Sequence, residues 1–186
     1  MKRLLSLACA AALIAGSAGA ADRSALKQYG RTVAGPRALA GSAVGATIGQ
    51  LRTRPHEWGG GVAGFAKRFG SSLGTHAVKG TIELGVGAWR HEDQSYYRSN
   101  LNGTLPRLKY AVVNTFVVHR KQRPGRTVAA GRLSGALGAG LISRLWQPAS
   151  TAGVGLGFAS GGISVGADVG INVAREFWPR HNKPER

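Results

Sequence analysis

From Arg37 onward the chain alternates between long runs of small and apolar residues and short polar breaks that carry charge or proline. Residues 37–51 are small and apolar until Arg52 to Pro55 interrupts them. Between Trp58 and Trp89, Val62, Phe65, Phe69, Leu73, Val78, Ile82 and Val86 recur at three, four or five positions, the spacing of one helix face. Arg90 to Tyr97 is polar, and Ser99 to Gly103 reads as a turn. Thr104 then stands where a cap belongs, ahead of Leu105, Leu108, Val112 and Phe116 on one stripe. Residues 128–146 form another small-residue helix, stopped by Pro148, and residues 151–178 form the last long segment.

Two stretches fit a strand as well as a helix. Tyr110, Val112, Asn114, Phe116 and Val118 alternate, and the neighbouring residues are rich in valine. Ile163, Val165, Ala167, Val169, Ile171 and Val173 also alternate, with Ser160-Gly161-Gly162 ahead of them as a candidate hairpin turn. The expected fold is all-α, with closely packed helices that meet through Gly-x-x-x-Gly faces. The alternatives are an outer-membrane-type β-barrel, or a mixed α+β fold with a hairpin near residues 108–130.

Glycine decides what kind of helices these are. The chain has 29 glycines in 186 residues, roughly twice the usual share. Many stand four apart: Gly41, Gly45 and Gly49; Gly131 and Gly135, continued by Ala139; Gly153, Gly157 and Gly161; Gly162, Gly166 and Gly170. A glycine inside a helix costs about 1 kcal/mol relative to alanine, so the seven between Thr151 and Ala174 need roughly 7 kcal/mol of compensation from packing. Faces of this kind let helix backbones approach closely, in soluble bundles and in membranes alike. Trp58, Trp89, Trp146 and Trp178 mark the ends of the small-residue segments, each with Arg, His or Pro within two positions. Tryptophan beside basic residues is a pattern of membrane–water interfaces.

Charge adds a partner class. Lys and Arg number 25 against 8 Asp and Glu, a formal net charge of +17. Residues 1–20 read as a secretory signal peptide: Lys2 and Arg3, an apolar stretch from Leu4 to Ile14, then Ala18-Gly19-Ala20. Its removal leaves 23 basic and 8 acidic residues and takes away Cys9, the one cysteine. A disulfide scaffold, a cysteine-based zinc site and an iron–sulfur protein are thereby excluded. The organisation expected is a leader at 1–20, a linker at 21–36, one helical domain at 37–178 and a frayed basic tail at 179–186. A chain of this charge attracts polyanions, and Arg120, Lys121, Arg123 and Arg126 form its densest patch. No aromatic residue is interleaved there for base stacking, which disfavours nucleic acid.

Catalytic chemistry has little support. The exported chain has no cysteine and no G-x-S-x-G elbow, and Gly59-Gly60-Gly61 lacks the Gly-Lys-Ser/Thr ending of a phosphate loop. His91, Glu92 and Asp93, with Tyr96 and Tyr97, are the most site-like cluster. Adjacent residues converge on one ion only if the loop curls around it, so they read as a polar loop whose tyrosines pack back on the helices. No cofactor and no metal is expected.

Trp58-Gly59-Gly60-Gly61, Ile82-Glu83-Leu84-Gly85, Glu92-Asp93 with Tyr96-Tyr97, Thr115-Phe116, Trp146-Gln147-Pro148, and Asn172-Val173 followed by Glu176-Phe177-Trp178-Pro179 carry a resemblance. Over residues 58–179 the chain resembles a group of uncharacterised, exported, glycine-rich bacterial envelope proteins. That resemblance implies a helical fold and brings no activity. Where an acid often follows the final Trp-Pro, Arg180 stands here. The function expected is a non-enzymatic structural or interaction protein, periplasmic or outer-membrane-associated, held to an envelope membrane through its glycine-faced helices and able to form homo-oligomers. The alternative is a soluble periplasmic cationic module for anionic envelope polymers. A metal-dependent enzyme at His91, Glu92 and Asp93 is the least favoured reading.

Overall fold

The structure is a computed structural model that describes residues 30, 33, 35–121 and 124–178. The expected leader, most of the linker, Arg123 and the basic tail lie outside the described residues. The fold is all-α, with five α-helices and a small antiparallel sheet among the described residues. The region expected as one domain divides into two compact units between Thr81 and Ile82.

The first unit contains α1 (Pro36–Leu51) and most of α2 (Gly61–Trp89). Pro36 opens α1, where a missing N–H costs nothing and the fixed φ suits the helix. A Cβ added at Gly41 would meet His76 at 3.5 Å, one at Gly45 would meet Ser72 Oγ at 3.4 Å, and one at Gly49 would meet Arg68 at 3.2 Å. The partners descend α2 by four as the glycines ascend α1 by four, so the helices run antiparallel. Ala38, Ser42 and Ala46 are buried beside that ladder. The connection is a short 3-10 turn, His56–Trp58, and Arg68 ties it from α2. Its guanidinium donates to Arg54 O (3.0 Å), Pro55 O (2.8 Å), Gly59 O (2.8 Å) and Gln50 Oε1 (2.7 Å). α2 therefore starts at Gly61 rather than at Trp58, which closes the turn.

In the second unit, α2 is followed by β1 (Glu92–Asp93), α3 (Thr104–Phe116), β2 (Val117–Arg120), β3 (Arg126–Val128), α4 (Ala130–Ile142) and α5 (Val154–Phe177). β2 is central and pairs antiparallel with both neighbours, Asp93 opposite His119 and Val118 opposite Thr127. The ambiguous stretch near 108–118 is thus helix through Phe116 and strand from Val117, and a real hairpin closes the basic loop. Gly103, at φ 93°, precedes α3; Thr104 is its first residue and not its cap. Residues 152–174 are not a barrel strand pair. Ser160-Gly161-Gly162 lies inside α5, because Gly157 and Gly161 bury against α4 on one helical face.

α4 and α5 approach at backbone distance. A Cβ on Gly140 would collide with Gly157 O and come within 2.7 Å of Gly161 N, and one on Gly161 would reach Leu137 Cα at 2.9 Å. Gly131 lies against Glu83 O and Gly87 N of α2, and Gly135 is buried. The remaining glycines of the proposed ladders behave differently. Gly153 is an extended cap ahead of α5. Cβ atoms at Gly153, Gly162, Gly166 and Gly170 would meet nothing within 4 Å. Among the described residues they pack against nothing, because α4 covers only the opposite side of α5.

Candidate functional site

The second unit is held by a polar network that crosses its helices. Glu92 is buried on β1 and accepts from the backbone N–H groups of Ala130 (3.1 Å) and Gly131 (2.9 Å), the open end of α4. A carboxylate at a helix N-terminus satisfies orphan donors and opposes the helix dipole. Arg90 Nε donates to the same carboxylate at 2.9 Å. Arg132, also buried, donates to Asn114 O, Thr115 O and Gln94 O, and its Nε lies 3.8 Å from Glu83 Oε1. Asn172 Nδ2 donates to Thr115 Oγ1 at 3.0 Å, joining α5 to α3.

Glu176, the last residue but one of α5, forms the second centre. Its carboxylate is fully buried and accepts from Tyr96 Oη (2.8 Å), Ser99 N (3.1 Å), Ser99 Oγ and Arg107 Nε (3.2 Å). Arg107 also donates to Glu176 O and lies 4.7 Å over the Phe177 ring. Burial raises the Glu176 carboxyl, but the donors from Ser99, Tyr96 and Arg107 outweigh it and hold the pKa down at about 2. Tyr96 is pushed well above its ordinary value, by burial first and by its bond to Glu176 next.

In this arrangement the Glu92 and Asp93 carboxylates turn to different partners. Glu92 turns inward to cap α4, while Asp93 accepts from Ser95 N (3.0 Å) and Tyr97 Oη (2.8 Å). Burial raises the Asp93 carboxyl, and these bonds with Lys121 nearby bring it below the usual value. Among the described residues no group of three His, Cys, Asp or Glu could hold a metal ion. Tyr96 packs edge-on against Tyr110 of α3 as expected, whereas Tyr97 stays exposed and meets His119 of β2 at 5.8 Å.

Comparison of the chain with protein-family models, with curated proteins and with solved structures finds no match. The functional reading therefore stands on the surface that the two centres support.

That surface has three parts. α5 is long and apolar enough to cross a membrane by length and composition, yet only 11% of its apolar stretch is buried. Val154, Leu156, Phe158, Ile163 and Ile171 are exposed, Ile163 by 74%. The tryptophans divide. Trp89 (79% exposed) and Trp178 (66% exposed) project from the ends of α2 and α5, while Trp58 and Trp146 are half-buried in turns. Arg120, Lys121 and Arg126 are exposed along the β2–β3 hairpin, and Arg126 lies 5.9 Å from the Tyr110 ring.

Sequence reasoning missed the Glu176 centre and the inward role of Glu92. One available signal pointed to them. With eight acids against 25 bases, an acid inside an apolar helix or before a small-residue helix has work to do within the fold.

Proposed function

We propose that the protein is a non-enzymatic, exported structural or interaction protein that lies along a bacterial envelope membrane, with the open face of α5 in the apolar boundary. The observation that carries this reading is the unburied apolar length of α5. Extensive exposed apolar surface on a helix marks an interaction or membrane face. Trp89 and Trp178 add amphipathic anchors, and the cationic hairpin adds attraction to anionic headgroups.

An interfacial position fits the packing better than a crossing. α3 and α4, which pack on α5, have 13 residues each. That is about 20 Å of helix, short of the roughly 30 Å hydrocarbon core. The polar centres around Arg132 and Glu176 sit among these helices and suit protein surroundings, not lipid.

Cell fractionation tests the proposal. The protein as the cell processes it is expected in the membrane fraction, released by detergent and only partly by high salt. Recovery wholly in the soluble periplasm after gentle lysis refutes it. The exposed Arg120, Lys121 and Arg126 favour a second reading, a soluble module for anionic envelope polymers. That reading requires polymer binding that weakens steeply with ionic strength and no adsorption to vesicles.

A further inference from the structure

A cavity of about 400 Å3 opens at the C-terminal end of α5, between the loop before α3, Arg107 and Trp178. Its size is within the usual range of small-ligand sites. The wall has two characters. Arg98, Arg107, Asn100 and Asn102 supply hydrogen-bond donors, while Leu101, Phe177 and Trp178 supply apolar surface that is open to solvent.

The charges select the ligand. Among the described residues no acid lines the cavity, and the Glu176 carboxylate behind it is buried and bonded to Tyr96, Ser99 and Arg107. A cation would find no free carboxylate there. Arg107 is held in place through its bond to Glu176 and its contact with Phe177. Arg98 has no hydrogen bond or ion pair among the described residues. The fork of Arg98 and the Nη1 of Arg107 that its bonds to Glu176 leave over, with amide donors beside them, suit a phosphate, two of whose oxygens match one guanidinium edge. Most of the wall is polar, and the smaller apolar part, at Leu101, Phe177 and Trp178, leaves room for only the start of a hydrocarbon continuation from that phosphate.

We propose that this cavity binds the phosphate of an anionic phospholipid headgroup, with Arg98 and Arg107 on the phosphate oxygens and Leu101 and Trp178 against the start of the lipid chains. This rests on the membrane reading above and gives it a defined site. The phosphate chemistry is shared with soluble phosphate esters, and the experiment separates the two.

The protein, purified as the cell processes it, is titrated with short-chain phosphatidylglycerol below its micelle concentration and with glycerol 1-phosphate. Saturable one-site binding of the short-chain lipid is expected. Arg98→Gln weakens it about tenfold or more, as loss of a charged hydrogen bond does. Asn102→Asp also weakens it, by placing an acid against the phosphate, and Lys121→Gln on the hairpin leaves it within about twofold. Far-UV circular dichroism confirms that each variant is folded. Equal binding of glycerol 1-phosphate overturns the lipid assignment. Absence of saturable binding, or binding that ignores Arg98→Gln, overturns the site. If the wild type still adsorbs to phosphatidylglycerol vesicles in that case, the membrane reading survives and only this site fails. Lack of vesicle adsorption by the wild type refutes the membrane reading itself.

Discussion

Alanine at Gly140 and alanine at Gly166 should move stability in opposite directions. Both glycines lie inside helices, so each substitution recovers up to about 1 kcal/mol of helix propensity. At Gly166 nothing lies within 4 Å of the new methyl group. The full gain, about 0.4–1 kcal/mol, remains. At Gly140 the methyl group meets the backbone of α5, with Gly161 N at 2.7 Å and Gly161 Cα at 3.1 Å. Backbone atoms have no rotamer to change, so α4 and α5 must separate. Overpacking costs typically about 1–3 kcal/mol, and an unyielding neighbour places this case near the upper end. Net of the propensity gain, Gly140→Ala loses about 2 kcal/mol. The two variants then differ by about 3 kcal/mol, roughly 6–12 °C in Tm for a chain of this size. Thermal unfolding followed by far-UV circular dichroism measures it. Shifts of the same sign refute the reasoning. Destabilisation by Gly166→Ala alone would mean that a second copy or another backbone covers the open face.

Three further outcomes follow from single residues. Ser42 Oγ is buried with no hydrogen-bond partner among the described residues, so Ser42→Ala should raise stability by about 1 kcal/mol, read from a urea midpoint; a loss refutes it. Arg68→Lys cannot reach the four acceptors of the α1–α2 turn and should cost about 3 kcal/mol, checked by urea unfolding and by faster proteolysis between Arg52 and Gly60; an unchanged midpoint counts against the tie. The Glu176 carboxyl is lowered from 4.5 to about 2 in the fold, so its contribution is complete above about pH 4.5 and is lost as pH falls toward 2. Stability should fall over that window by up to about 3 kcal/mol, and by less in Glu176→Gln; equal acid sensitivity of the two proteins refutes the assignment.

The helices were legible in the sequence wherever small residues recurred every four positions between proline or charged breaks. The register of Gly41, Gly45 and Gly49 against α2 follows directly from that spacing. Two features were hidden. Ile163 to Val173 alternates as a strand does, because valine and glycine fill both periods. Only contact with α4 through Gly157 and Gly161 selects the helix. Which glycines pack and which stay open depends on where α4 ends against α5, and a linear ladder does not carry that information. The Glu176 centre was hidden for another reason. Its partners Tyr96, Ser99 and Arg107 lie 69 to 80 residues away in the chain, so no local motif announces it. The basic patch was plain from composition, and the alternative of a hairpin near 108–130 anticipated its place between β2 and β3, although not the change from helix to strand at Val117.

The near-bare contact between α4 and α5 has a mechanical consequence. Interlocking side chains normally index one helix against another, as teeth do in a ratchet. A glycine surface has few teeth. The few present are Leu137 and Leu141 of α4, seated over Gly161 and Gly157, and a slip of one turn, about 5.4 Å, would set them against other residues of α5. Asn172 and Glu176, bonded across to Thr115, Ser99 and Arg107, act as a key that admits one setting. Leucine over glycine at one end and the polar centre at the other index α5 together.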